Sequence, residues 1–148
     1  NLHRNKRSIT LNLKHPDGRA LFLELAKQAD VVVENFRPGV MKRLGVDYEK
    51  LKVIKPTLIY CAISGFGQDG PWVGRPAYDQ IIQGASGIMS ITGDAQSAPL
   101  RVGYPVADTV GGMTAAFGVH SNIVEFEHVY IGVLPEVIFS VVNICLHF

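Results

Sequence analysis

The sequence predicts an α/β fold built on a doubly wound, mostly parallel sheet, and three observations point to it. Two short apolar runs rich in β-branched residues, 31–33 and 58–63, suit strands covered on both faces. They alternate with stretches that repeat apolar residues at helical spacing. Each run also leads into a loop of unusual composition, residues 35–39 and 64–71. Strands and helices in alternation build parallel sheets, which receive ligands at the carboxyl ends of their strands.

Taken in order, Ile9, Leu11 and Leu13 alternate with Thr10 and Asn12, the period of a half-buried strand. His15-Pro16-Asp17-Gly18 breaks it, and Asp17 is expected to cap a helix running through Leu21, Phe22, Leu25, Ala26 and Ala29. After the 31–33 strand, a short helix is expected over 40–44, with Gly45 placed to end it. Another helical turn fits 47–52 and stops before Pro56. Beyond the 58–63 strand and its glycine-rich loop, Tyr78, Ile81, Ile82, Ala85 and Met89 mark a helix at 3.6-residue spacing. From about residue 119 the character changes, and 129–148 is almost wholly apolar. Its length barely meets the roughly 20 residues of a membrane span, and Glu136 and Pro135 inside it argue against one. The chain therefore divides into 1–118 and an unassigned apolar segment, 119–148, read as buried or chain-end.

At 148 residues the chain supports one domain with a real core. A composition 47% hydrophobic and 18% charged excludes a disordered protein. A formal net charge of +1 implies no nucleic-acid partner, and the densest cationic cluster, Arg4, Lys6 and Arg7, fits a solvated patch equally well. Cys61 lies within an apolar run, where a buried, inert thiol is expected. Without an apolar leader or an Asn-x-Ser/Thr site, a reducing, cytoplasmic setting and no membrane partner are expected.

Three stretches carry candidate chemistry. Arg37, Lys42 and Arg43 follow a strand and open a helix, where backbone N–H groups and guanidinium groups favour phosphate. Phe36 adds a flat apolar face, although an ordinary turn with solvated cations fits as well. The stretch 64–71 holds three glycines in six residues but is neither a dinucleotide fingerprint nor a P-loop, so a mobile lid and a plain surface loop both remain open. Asp108 stands among small apolar residues ahead of Gly111-Gly112. A partly desolvated carboxylate held ionised by a helix dipole can attack an acyl carbon, yet an N-capping aspartate without chemistry fits the local pattern too. Glu125, Glu127 and His128 match no metal-ligand spacing, so no metal is expected.

In order, Arg4-Asn5-Lys6-Arg7-Ser8-Ile9, Val33-Glu34-Asn35-Phe36-Arg37-Pro38-Gly39, Ser64-Gly65-Phe66-Gly67-Gln68-Asp69-Gly70-Pro71, Ala77-Tyr78-Asp79 and Asp108 before Gly111-Gly112 resemble the family III CoA-transferases. The resemblance covers residues 1 to about 118 and implies part of a Rossmann-like large domain, coenzyme A as substrate and no metal. It implies Asp108 as the nucleophile that takes the acyl group from an acyl-CoA and then carries CoA as an aspartyl thioester until a second carboxylic acid collects it. It also implies CoA-binding roles for Leu11, Asn12, Lys14, Asn35, Phe36, Arg37, Arg43, Ala77, Tyr78 and Asp79, and a covering loop at Gly65, Gly67 and Gly70. Family members are longer and form interlocked homodimers, so the chain is expected to be a truncated form.

Two alternatives stand beside transfer. The same family includes α-methylacyl-CoA racemases, which use a histidine before an aspartate; Tyr78 stands there instead, and a tyrosine ordinarily keeps its proton near neutral pH. The other is an inactive module that only binds CoA or dimerises.

Overall fold

The computed structural model describes residues 5–121 and 128–132. Among the described residues three strands, β1 (Val31–Glu34), β2 (Ile59–Ser64) and β3 (His128–Gly132), form one sheet in that order with both pairings parallel. Among the described residues the helices are α1 (Pro16–Gln28), α2 (Val40–Leu44), α3 (Tyr48–Ile54), α4 (Asp79–Ala85) and α5 (Val106–Ser121), with a 3-10 turn at Ile88–Ile91.

β2 is the central strand, and Ile59, Tyr60, Cys61 and Ala62 are each no more than 3% exposed. Side chains alternate across a strand. Tyr60 and Ala62 therefore enter one core with Ala26 of α1, Met41 of α2 and Tyr48 and Leu51 of α3. Cys61 enters another with Ala115 of α5, flanked by Ile63 and Val119. Helices thus cover both faces of a parallel sheet, the doubly wound arrangement the alternating pattern predicts.

Local chemistry explains the element ends. α2 is bracketed by Gly39 (φ 81°) and Gly45 (φ 71°), and the Gly45 N–H closes the helix on the Lys42 carbonyl. A left-handed residue costs least as glycine. Asp47 precedes α3, and the Lys55 N–H closes on Leu51.

Several expectations are corrected. Residues 9–13 form no strand, and Ile9 is 64% exposed. That segment instead folds onto the start of α1: the Asn12 carbonyl accepts from the His15 N–H at 3.1 Å, and Gly18 lies so close to Asn12 that a Cβ there would overlap its carbonyl. The cap of α1 is His15, whose Nδ1 accepts from the Asp17 N–H at 3.3 Å, so Asp17 belongs to the first turn. β1 is less covered than expected: Val33 is 57% exposed, while Val31, Val32 and Glu34 are half-buried. The helix expected from Tyr78 to Met89 stops at Ala85, because Gly87 takes φ 78° and restarts the chain as a 3-10 turn. β3 lies in the 119–148 segment, to which the sequence assigns no element. The residues beyond 132, with Glu136 and Pro135, lie outside the described residues. No helix among the described residues is long and apolar enough to cross a membrane.

Candidate active site

At the carboxyl ends of β1 and β2 the chain forms an open cavity of about 310 Å³. Four stretches meet there: Asn35 to Pro38 after β1, Ser64 to Phe66 after β2, Val73 to Asp79 leading into α4, and Asp108 on the first turn of α5.

The turn after β1 is fixed by side chains. Asn35 Nδ2 donates to the Ile63 carbonyl at 2.8 Å, fastening it to the end of β2. The Glu34 carboxylate accepts from the Phe36 N–H at 2.7 Å and from the Tyr60 hydroxyl at 3.3 Å. Burial pushes the Glu34 carboxyl above its ordinary range, and these two hydrogen bonds offset the rise only in part. The Phe36 ring and the Arg37 side chain remain exposed. Arg43 folds back from α2, bringing Nη1 to within 3.5 Å of the Cβ position of Gly39.

The wall after β2 depends on a close approach. A Cβ on Gly65 would overlap the Ala77 methyl and stand 3.4 Å from Ile82 Cδ1, so only glycine lets the strand end lie flat against the entry to α4. Ser64 Oγ donates to the Gly67 carbonyl at 2.8 Å and ties the loop base to the strand. Gly67 (φ 80°) and Gly70 (φ 89°) turn the loop through open space. Phe66 meets Trp72 edge to face at 5.5 Å, and the Arg75 guanidinium lies 4.7 Å from the same indole ring.

Behind the cavity, Asp79 is 6% exposed and Gln83 fully buried. Asp79 Oδ1 accepts from the Ala107 N–H at 2.9 Å, and Oδ2 from Gln83 Nε2 at 2.6 Å. Gln83 Oε1 accepts from the Val102 N–H at 2.8 Å. Asp108 follows directly and is exposed, not partly buried as expected.

Of the residues singled out from sequence, Asn35, Phe36, Arg37, Gly65, Ala77, Tyr78, Asp79 and Asp108 are brought to one cavity. Leu11, Asn12 and Lys14 lie by the start of α1, and Arg43, Gly67 and Gly70 stand outside the lining. Sequence reasoning missed Arg75 and Gln83; the i,i+4 pairing of Gln83 with Asp79 on an otherwise apolar helix face was the available signal for the second. The Cys61 thiol is fully buried, and burial, aided by the Glu34 charge, pushes its pKa up to about 11, which removes it as a nucleophile at neutral pH. No cluster of three or more potential metal ligands occurs among the described residues.

A parallel sheet covered on both faces, with its cavity at the strand ends, belongs to the α/β class that binds ligands there. The particular family follows from comparison: the model of CoA-transferase family III matches residues 1–132, and the chain belongs to that family. The match runs past residue 118 and takes in β3. Among curated relatives, an acetyl-CoA:oxalate CoA-transferase of Acetobacter aceti is 52% identical over 123 residues, covering 82% of this chain and 32% of the relative. A succinate–glutarate CoA-transferase of Agrobacterium fabrum is 45% identical over 122 residues, covering 82% and 30%. The crystal structure of a CAIB/BAIF family protein from Brucella suis superposes with a TM-score of 0.85 at 38% identity, covering 92% of this chain and 37% of that one. The chain spans about a third of the length of the relatives it matches.

Proposed function

We propose that the whole protein moves CoA between carboxylic acids, and that Asp108 carries the transferred group. The observation behind this reading is the shared cavity: Asp108, the Phe36–Arg37 turn and Gly65 are far apart in sequence and line one space at the strand ends. The names of the relatives support the reaction class.

In the first step an Asp108 carboxylate oxygen attacks the thioester carbonyl carbon of an acyl-CoA. The carbon–sulfur bond breaks, CoA leaves as thiolate, and an acyl–aspartyl anhydride remains. The thiolate then attacks the aspartyl carbonyl carbon, the anhydride carbon–oxygen bond breaks, and the first acid departs as carboxylate. CoA is now held as an aspartyl thioester. A second carboxylate reverses both steps, leaves as the new acyl-CoA, and restores Asp108.

Arg37 and Phe36 suit the anionic and flat parts of CoA respectively. Arg43 and the segment with Leu11, Asn12 and Lys14 extend the CoA site beyond the cavity, and Ala77 and Tyr78 wall it. The loop through Gly65, Gly67 and Gly70 shields the thioester from water, and its backbone N–H groups receive the developing oxyanion. The exposed stripe of Val110, Met113 and Phe117 on α5 supports a homodimer, in which a second copy covers that face. A cytoplasmic setting belongs to the same reading.

Peptide mass spectrometry after incubation with acetyl-CoA or succinyl-CoA tests the proposal. The expected result is a CoA adduct on the Asp108 peptide, released by hydroxylamine and missing in Asp108→Ala. An adduct at another residue, or exchange of the acyl α-proton with Asp108 unmodified, refutes it.

A further inference from the structure

We propose that Gln83 is a positioning residue: its buried amide holds the Asp79 carboxylate against the first turn of α5 and so sets where Asp108 stands in the cavity. The inference rests on Asp108 being the attacking group.

A helix start leaves N–H groups without intrahelical partners, and a polar side chain at the preceding residue is the usual acceptor. α5 is preceded by Pro105, which has no such group. The acceptor comes from another helix: Asp79 of α4 takes the Ala107 N–H at 2.9 Å. The second oxygen of this buried carboxylate needs a donor, and Gln83, one turn along α4, supplies it at 2.6 Å. The rest of the Gln83 amide is spent on the same stretch of chain. Its oxygen accepts from the Val102 N–H at 2.8 Å, and its nitrogen lies 3.4 Å from the Tyr104 carbonyl. One fully buried amide thus grips the approach to Asp108 at residues 102 and 104 directly and at 107 through Asp79.

Packing alone leaves that position weakly defined. The buried face of α5 is Ala107, Gly111, Ala115 and Gly118, small side chains that offer little to stop the helix shifting along its axis. An apolar residue of Gln83's volume would fill the same space, but a satisfied polar network selects one arrangement. Reactions of this kind are sensitive to misplacement of about 1 Å.

The test uses the full chain with Gln83→Met, which keeps the volume and removes the bonds. Three measurements are made: hydrogen exchange of the Val102 and Ala107 amides without ligand, CoA affinity, and the rate of Asp108 labelling at saturating acetyl-CoA or succinyl-CoA. The expected result is exchange about tenfold faster at those amides with β2 amides unchanged. CoA affinity stays unchanged, and labelling slows by about 10²-fold. If Gln83 only fills the core, the volume-matched Met leaves exchange at Val102 and Ala107, CoA affinity and labelling unchanged, which overturns the proposal, as does a joint loss of β2 protection, CoA affinity and labelling. If Gln83→Met does not fold, Gln83→Asn keeps an amide at the position but is too short to reach Asp79 and Val102 together, and the same three measurements apply. Unchanged exchange at Ala107 overturns the clamp whatever Asp108 does. Absence of label on the unaltered chain, with exchange behaving as expected, removes the attacking role of Asp108 and leaves the clamp standing.

Discussion

Gly65→Ala offers a direct test of how the cavity is built. The added methyl would overlap Ala77 Cβ, and because Ala77 has no further torsion to turn away, the backbones must separate. Carbon atoms rest at about 3.5–4.0 Å, so a displacement of this kind falls in the overpacking range of roughly 1–3 kcal/mol. The backbone of Gly65 is not left-handed, so the cost is steric rather than conformational. Ala77→Gly in the same chain removes the overlapping atom, and the nearest remaining contacts are then Ile82 Cδ1 at 3.4 Å and Ala77 Cα at 3.5 Å. Thermal unfolding of the four chains of the cycle is the assay. The single substitution lowers Tm by about 4 °C per kcal/mol lost. The reciprocal pair recovers most of it, because the chain entropy lost to a new glycine at 77 is offset by the glycine removed at 65. A coupling energy of about 1–2 kcal/mol is expected. If the pair melts no higher than Gly65→Ala alone, the close approach is not what requires glycine here.

Two further outcomes concern buried acids. Glu34 holds its proton to higher pH in the folded chain than the ordinary 4.5, so its contribution to stability is full below that value and is lost as pH rises through the raised one. Glu34→Gln still accepts from the Phe36 N–H and does not titrate; its Tm advantage over the unaltered chain should grow as pH is raised from about 4 to 7, and a flat difference contradicts the assignment. With the Cys61 pKa pushed up to about 11, about one thiol in 10³ is ionised at pH 8, so iodoacetamide should modify the Cys61 peptide only after denaturation. Modification of the native chain at the rate of a free thiol would refute this.

The parts of the fold governed by local chemistry were legible. Gly45 ends α2 because a left-handed cap needs glycine, and the continuous apolar run of β2 reports a strand buried on both faces. The failures share a cause. Alternation at Ile9, Leu11 and Leu13 mimics a strand, but alternation cannot supply a neighbour to bond with, and the chain there is taken up by the turn into α1. β3 was hidden for the converse reason: an apolar tail gives no register until β2 provides it, with Cys61 opposite Val129. Motifs brought Asn35, Phe36, Arg37 and Asp108 to attention separately, yet their meeting depends on strand order, which no local pattern encodes. Gln83 went unnoticed because a lone amide on a helix acquires meaning only from the atoms that surround it.

Trp72 is the chain's one tryptophan, and it touches two of the side chains that line the cavity, Phe66 by its edge and Arg75 over its face. The molecule therefore carries its own optical gauge. Anything entering beside Asp108 that draws the guanidinium away or tilts the phenyl ring alters the indole's surroundings. Fluorescence then follows occupancy in real time with no added dye and no change to the sequence.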